Sequence, residues 1–410
     1  MHKVVIIGGG AAGLFAAVSS AKSGNETVLI EKNEKLGKKI YITGKGRCNL
    51  SNSVSVSDFL NNVVTNPKFL ISAVYALSPE KTIDFFRENG LELKVERGNR
   101  VFPVSDKASD VTKCLQKVII DSGVDIRLNT EVVSVVTDKS DGNCVVKGVI
   151  TDKGIIYADS VIVATGGISY PLTGSTGSGY VFAQSVGHNV VKPVPALCGI
   201  ELNGSEYLCL QGLSLKNIGL TVKYKDKTVY SDFGEALFTH FGISGPIILS
   251  CSSVINRLDF NGLSLIIDLK PALTEKVLGA RLIREFTISP KKSVENVMRA
   301  LMPSTLIGVV LARVGIVKDK KCCEITKEER KALINVLKNL DFSVKGLRPI
   351  EEAIVTSGGV NVKEINPKTM ESKLVKGLFF AGEVIDVDAF TGGFNLQTAF
   401  STGYLAGLNA

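Results

Sequence analysis

The sequence predicts an α/β protein built on a Rossmann-like parallel sheet, with a smaller β-rich and helical region inserted into it. Three observations carry the prediction. A G-x-G-x-x-G triplet, Gly8, Gly10 and Gly13, sits between an apolar run and an alanine-rich stretch. Apolar runs that end on glycine return at 161–167 and again at 377–382. Between them, residues 196–269 read as short strands with close turns and residues 271–340 as periodic helices, so the pattern changes and then changes back.

Val4, Val5, Ile6 and Ile7 suit a strand buried on both faces. Gly8 makes the tight turn, Gly10 lets the backbone approach a pyrophosphate, and Gly13 brings the helix against the strand. The helix that follows, over 11–23, aims its first N–H groups and the positive end of its dipole at that phosphate. A second strand over 27–30 ends at Glu31, 23 residues after Gly8, where a carboxylate accepts hydrogen bonds from a ribose. The triplet alone is weak evidence; strand, triplet, helix, strand and acid in register predict a dinucleotide site.

A chain of 410 residues, 45% of them hydrophobic and 21% charged, has the make-up of a soluble globular protein of two to three domains. The formal charge of +8 favours anionic partners without demanding nucleic acid. The absence of tryptophan argues against a base-stacking surface. Eight scattered cysteines without a C-x-x-C predict reduced thiols rather than disulfides or a zinc site, and no metal is expected. The adjacent Cys322 and Cys323 would bridge only with strain, so a redox pair there is disfavoured. The first strand begins almost at Met1 and no apolar run reaches the ~18 residues of a membrane span, so the expected location is cytoplasmic.

Residues 33–53 form a basic loop with Lys38, Lys39, Lys45 and Arg47 and with Gly44 and Gly46. It is too long for a connector, and a second segment wrapping an extended dinucleotide explains it. Residues 58–89 read as two helical pieces, 97–107 as a polar turn around Phe102 and Pro103, and 108–122 as a helix. From 125 to 163 β-rich runs with turns at Asp141-Gly142 and Lys153-Gly154 predict an antiparallel meander and a return strand over 161–164. That strand runs into Thr165, Gly166 and Gly167, and the glycine-rich stretch beyond, closing in a helix over 179–186, resembles a ligand cradle. Pro193 and Pro195 mark a boundary. Beyond it CGIEL, GLTVKY, KTVYSDFGEALFT, GPIILSCSSVI and LSLIIDL read as strands of a small barrel or sandwich. Helices occupy 271–340, and the lysine-rich run 318–321 reads as a solvated face rather than a nucleic-acid patch. A last strand over 377–382 leads to Gly392 and Gly393 and a helix over 396–408, whose side-chain amides at Asn395 and Gln397 suit the carbonyl oxygens of a flavin ring. Together these features turn the expected dinucleotide from NAD to FAD.

The motifs GGGAAG, TGKGRCNLSN, RVFPVSDKA, GGISYPLTGSTGSGY, LFTHFGISGP, TSGGV with TMESK, and GEVIDVDAFTGGFNLQ resemble the BaiN-like NAD(P)/FAD-dependent oxidoreductases, a bacterial group named after a bile-acid-inducible flavoprotein. Some of its members are called aminoacetone-oxidase-family FAD-binding enzymes. The resemblance spans nearly the whole chain. It implies a discontinuous Rossmann-like FAD-binding domain of glutathione-reductase type over 1–191 and 352–410, an inserted β-barrel over 192–270 and 341–351, and a helical insert over 271–340. It also implies that Gly8, Gly10, Ala11, Ala12 and Gly13 hold the pyrophosphate, with Glu31 and Lys32 near the adenosine ribose. Gly44, Arg47, Cys48, Asn49, Val133, Ala164, Thr165, Gly166 and Gly167 would lie along the cofactor. Gly382, Glu383, Asp386, Gly393, Asn395, Leu396 and Gln397 would surround the flavin end. Glu383 stands where many related flavoproteins have an aspartate that holds the ribityl chain.

The resemblance implies a non-covalent FAD reduced by NAD(P)H as a transient partner, since no second G-x-G-x-x-G follows a strand. The bile-acid members imply a small-molecule acceptor with a C=C conjugated to a ketone. Such an acceptor needs a proton donor, and Tyr170 and His240 are the titratable candidates in motif-bearing segments; Cys48 as a redox thiol ranks lower. The alternatives are an amine oxidase that uses oxygen and a flavin-dependent tRNA-modifying protein. Neither an obligatory nucleic acid nor a membrane is expected.

Overall fold

The computed structural model describes residues 1–140 and 143–410, so the expected turn at Asp141-Gly142 lies outside the described residues. The chain forms two compact units, one of Met1–Ala196 with Pro349–Ala410 and one of Leu197–Arg348.

The first unit is organised on a five-stranded, all-parallel sheet. Its order is Leu378–Phe380, Ser160–Val163, Lys3–Ile7, Glu26–Ile30 and Asp125–Arg127. Ile6 lies between Ile162 on one side and Leu29 on the other, and Val163 pairs with Phe380. The strand Lys3–Ile7 is buried from Val4 onward, as a strand covered on both faces must be. The two ends of the chain therefore share one sheet. They also share a helix crossing. A Cβ on Gly403 would overlap the Ala12 carbonyl oxygen, and one on Gly407 the Ala16 carbonyl oxygen. Only glycine lets the closing helix Phe394–Asn409 lie so close to the opening helix Ala11–Lys22. Beside the crossing, Phe15 packs on Phe85, Phe86 and Phe400 with ring centroids 4.6–5.9 Å apart.

The meander forms an antiparallel sheet of Val132–Ser140, Asn143–Thr151 and Gly154–Tyr157. Its expected first run, at 125–127, instead joins the main sheet in parallel. The polar turn expected around Phe102 and Pro103 is the strand Arg100–Pro103, paired with Leu93–Glu96. Val101 and Phe102 are buried, and the turn falls at Gly98 and Asn99, both with positive φ. The expected long loop at 33–53 contains the short helix Lys38–Ile42.

His188 is buried in this unit. Its Nδ1 lies 3.1 Å from Glu364 Oε2 and its Nε2 2.7 Å from Ser372 Oγ. Burial outweighs the nearby carboxylate and holds the imidazole below its ordinary pKa, so the folded protein favours the neutral ring. The contribution to stability is complete above the unfolded value of about 6.5 and is lost as pH falls through the lower folded value. Urea midpoints measured from pH 7.5 to 5.5 should fall on acidification, and less steeply in His188→Gln.

The second unit contains a closed barrel of six strands. The order is Ile200–Leu202, Gly242–Ser244, Lys227–Thr239, Ser214–Tyr224, Leu263–Asp268 and Leu340–Leu347, and closure leaves no open edge. GPIILSCSSVI, expected as a strand, is the helix Pro246–Ile255. A fully apolar run has no period to separate strand from helix, and here Pro246 at the first turn favours the helix. The helices Glu275–Ile288, Ser304–Val314 and Lys327–Lys338 share one core with the barrel, with Leu278, Leu306 and Leu337 packed alongside Leu265 and Ile267. Among the described residues no helix is long and apolar enough to cross a membrane.

Candidate functional site

The site in the first unit starts at the carboxyl end of its central strand. Gly8 has φ +103°, and a Cβ there would stand 2.6 Å from the Ala164 carbonyl oxygen. A Cβ on Gly13 would overlap the Gly8 carbonyl oxygen, so Gly13 is what seats the helix on the strand. Gly10, the N-cap, has nothing within 4 Å of its would-be Cβ, and no acidic side chain stands in the first turn. The start of this helix, where Ala11 and Ala12 follow Gly10, is thus an open cradle of backbone N–H groups with a positive dipole end.

Glu31 closes that cradle. It is 9% exposed; its Oε2 accepts from Gly9 N at 2.8 Å and its Oε1 from Asn33 N at 2.9 Å and Asn33 Nδ2 at 2.6 Å. Three of its roughly four acceptor positions are filled, which fixes the carboxylate and leaves capacity for a ribose hydroxyl. Lys32 donates to Thr176 Oγ1 at 2.8 Å.

Three cations of the basic loop are spent on carboxylates. Lys38 pairs with Glu34 at 2.8 Å, and Lys39 with Glu383 Oε2 at 2.6 Å and with Ser169 Oγ at 2.6 Å. Arg47 pairs with Glu96 and Asp106 and lies 4.2 Å over the Phe102 ring. Lys94 and Arg47 together hold the Asp106 carboxyl below its usual range. The loop's backbone turns with positive φ at Gly44 and Cys48, and its Ser51 carbonyl lies against Gly393 at the start of the closing helix. Cys48 is fully buried and its thiol is pushed up to about 12 by desolvation, so it stays protonated and unsuited to redox exchange.

The return strand delivers Ala164 and Thr165 beside Gly8, and Thr165 Oγ1 is buried with no hydrogen-bond partner. Gly166 and Gly167 pass close to Ser175 and to Thr356 Oγ1, which accepts from Ile168 N and Ser169 N at 2.9 and 3.1 Å. Val133 is the extra residue of a bulge opposite Thr151 and Ile150, so its own N–H and C=O are freed from the ladder. Its side chain is exposed.

At the far end, Gly382 has φ +77° and donates to Thr402 Oγ1 at 2.9 Å. Glu383 Oε1 accepts from Thr356 N and Ser169 Oγ at 2.8 and 3.0 Å, so with Lys39 it is an internal strut. Asp386 accepts from Asn66 Nδ2 through both its carbonyl and its carboxylate. The amides of the closing helix are not turned to a ligand, which corrects the expectation that they meet a flavin. Asn395 clasps the backbone of Ala389, and Gln397, fully buried, bonds Leu77, Thr82, Ser401 and Ser51. What this helix offers from Gly393 through Leu396 is its first backbone N–H groups. Asn49 Oδ1 and Tyr180 OH are buried nearby in the sequence motifs without a partner. Desolvation, reinforced by Glu383 and Asp386, raises the Tyr180 hydroxyl pKa, so it remains a donor.

Tyr170 belongs to this unit, partly buried with φ +50°, its carbonyl held by Thr173 N and Oγ1. His240 belongs to the second unit, exposed in the turn before Phe241, whose ring lies 5.1 Å away. Asn33, Ser169, Thr356 and Tyr180 were not singled out by sequence, and Lys39 only as one cation of the basic loop. Asn33 alone carried a local signal, lying two residues past the strand-ending acid.

The open helix start at Gly10 and the fixed acid at Glu31 fit a pyrophosphate and a ribose, so the residues present accommodate FAD. The match to known proteins agrees. Residues 2–409 match the model of the HI0933-like protein Rossmann domain. A 3-dehydro-bile acid delta(4,6)-reductase of Clostridium scindens is 30% identical over 99% of this chain and 98% of its own length. A ribosomal RNA dihydrouridine synthase of Haemophilus influenzae is 32% identical over 99% of this chain and 97% of its own. A solved 3-ketosteroid-delta4-(5alpha)-dehydrogenase of Rhodococcus jostii shares the fold, with 15% identity, a TM-score of 0.53, and coverage of 100% and 96%. A Rossmann sheet closed by both chain ends, a dinucleotide cradle and a match from one end to the other place this chain in the HI0933-like family of Rossmann-domain flavoprotein oxidoreductases.

Proposed function

We propose that the protein uses NAD(P)H to reduce a carbon–carbon double bond conjugated to a carbonyl group, with FAD held non-covalently. One observation carries this reading. Two relatives matched over nearly their whole length have names with different substrates and the same bond chemistry. The delta-4 and delta-6 double bonds conjugated with a 3-oxo group and the C5=C6 bond of uracil are all alkenes activated by a carbonyl.

Bound FAD supplies the two-electron relay between nicotinamide and alkene. The chain supplies binding, orientation and a proton. Gly10 and the first turn behind it hold the phosphates, and Glu31 fixes the ribose. Tyr170 is our candidate for the proton donor on the alkene carbon next to the carbonyl, because its backbone is pinned and its hydroxyl has no partner among the described residues. General acids of this kind contribute roughly 10²- to 10⁴-fold.

The test is anaerobic. Purified yellow protein should bleach with NADH or NADPH and recover colour when an enone or a uridine-containing RNA is added. Tyr170→Phe should bleach at the wild-type rate but pass its electrons to the acceptor about 10²-fold more slowly. Bleaching by an amine alone, with recovery in oxygen, would replace this reading with an amine oxidase.

A further inference from the structure

The net charge is unevenly shared between the two units. Residues 197–348 hold 22 Lys and Arg against 15 Asp and Glu, whereas the rest of the chain holds 26 against 25. Within the second unit the fold gathers part of that excess. Residues 290–295 and 318–323 run antiparallel, with Cys322 N bonded to Lys292 O at 3.1 Å, Val294 N to Lys320 O at 2.9 Å and Cys323 N to Pro290 O at 3.1 Å. Two lysine runs far apart in sequence, Lys291-Lys292 and Lys318 to Lys321, thereby become neighbours on one ribbon. Lys291, Lys292, Lys318 and Lys321 are exposed, and among the described residues none is in an ion pair. Lys320 is turned to Glu329 at 2.6 Å. Of the carboxylates on the ribbon, Glu295 faces Arg299 and Glu324 accepts from Lys321 N, which leaves Asp319.

We propose that this ribbon is a docking surface for the phosphate backbone of RNA. One lysine run is an ordinary solvated face. Two runs stitched side by side put four exposed lysines without ion pairs on adjacent backbone segments, on the unit that carries the excess charge, and self-repulsion disfavours such clustering unless an anion offsets it. Ribosomal RNA is the polyanion to try, because a relative of full length is named for acting on it. The inference rests on the reductase reading for what becomes of the RNA, and stands apart from it for binding. It also replaces the expectation that nucleic acid plays no obligatory part.

The experiment titrates the FAD-loaded protein with unmodified ribosomal RNA transcribed in vitro, at several salt concentrations. Each lysine–phosphate contact contributes roughly 0.7–0.9 to the slope of log K against log salt, so K291Q/K292Q/K318Q/K321Q should lower the slope by about 3. A matched variant of the barrel hairpin, K216Q/K223Q/K225Q/K227Q, should leave the slope near wild type. Equal losses in both variants, no loss in either, or binding of anionic vesicles but not RNA by the wild type would overturn the proposal. NADH bleaching of both variants is expected unchanged. If bleaching fails in the wild type, it is the reductase reading that falls.

Discussion

Gly10→Ala is expected to give a colourless but folded protein. The new methyl meets nothing within 4 Å, and φ −82° with ψ −168° is open to alanine, so the apoprotein should lose no more than about 1 kcal/mol for the poorer N-cap. The space it fills is the space a pyrophosphate requires, and FAD content after purification should drop at least tenfold. Gly13→Ala makes the converse case. Its methyl would overlap the Gly8 carbonyl oxygen, and overpacking of this kind costs roughly 1–3 kcal/mol or more by forcing helix and strand apart. That variant should lose both colour and stability. Absorbance at the flavin bands together with urea unfolding of the stripped protein separates the two, and a Gly10→Ala protein that retains FAD would remove the phosphate from this helix.

Gln397→Leu should cost more stability than any other single change at the site. The amide bonds four groups inside the first unit, including Ser51 Oγ at 2.6 Å and Thr82 Oγ1 at 2.7 Å, with no exposed surface. Leucine nearly matches the volume but strands those partners, each at about 1–3 kcal/mol, so a loss of roughly 3 kcal/mol or more is expected in urea unfolding of the apoprotein. Had the amide met a flavin, the stripped protein would scarcely notice the change.

The parts of the site that sequence reveals are those encoded within a few residues of each other. Gly8, Gly10, Gly13 and Glu31 lie on one strand–helix–strand unit, and each has a mechanical task that its residue type declares. Lys39 shows the opposite. Its charge is visible in sequence, but its partner Glu383 lies 344 residues away, so a strut between chain ends reads as one more cation of a basic loop. Gln397 misleads for the same reason, since all but one of its partners are brought to it from 51–82 by tertiary packing. The helix Pro246–Ile255 is hidden by a run apolar on every side, whereas the turn at Gly98 and Asn99 was open to reading as a hairpin.

The sheet order also sets a timetable for synthesis. Strand Ser160–Val163 finds its inner neighbour Lys3–Ile7 at once, but its outer neighbour Leu378–Phe380 is made some 215 residues later. At roughly 5–20 residues per second, that edge waits about 10–40 s on the ribosome with its hydrogen-bonding groups unpaired. The whole second unit is translated in that interval. A nascent chain held at residue 370 should therefore carry a dinucleotide half-site with an open, aggregation-prone flank, and release of the last forty residues is the event that seals it.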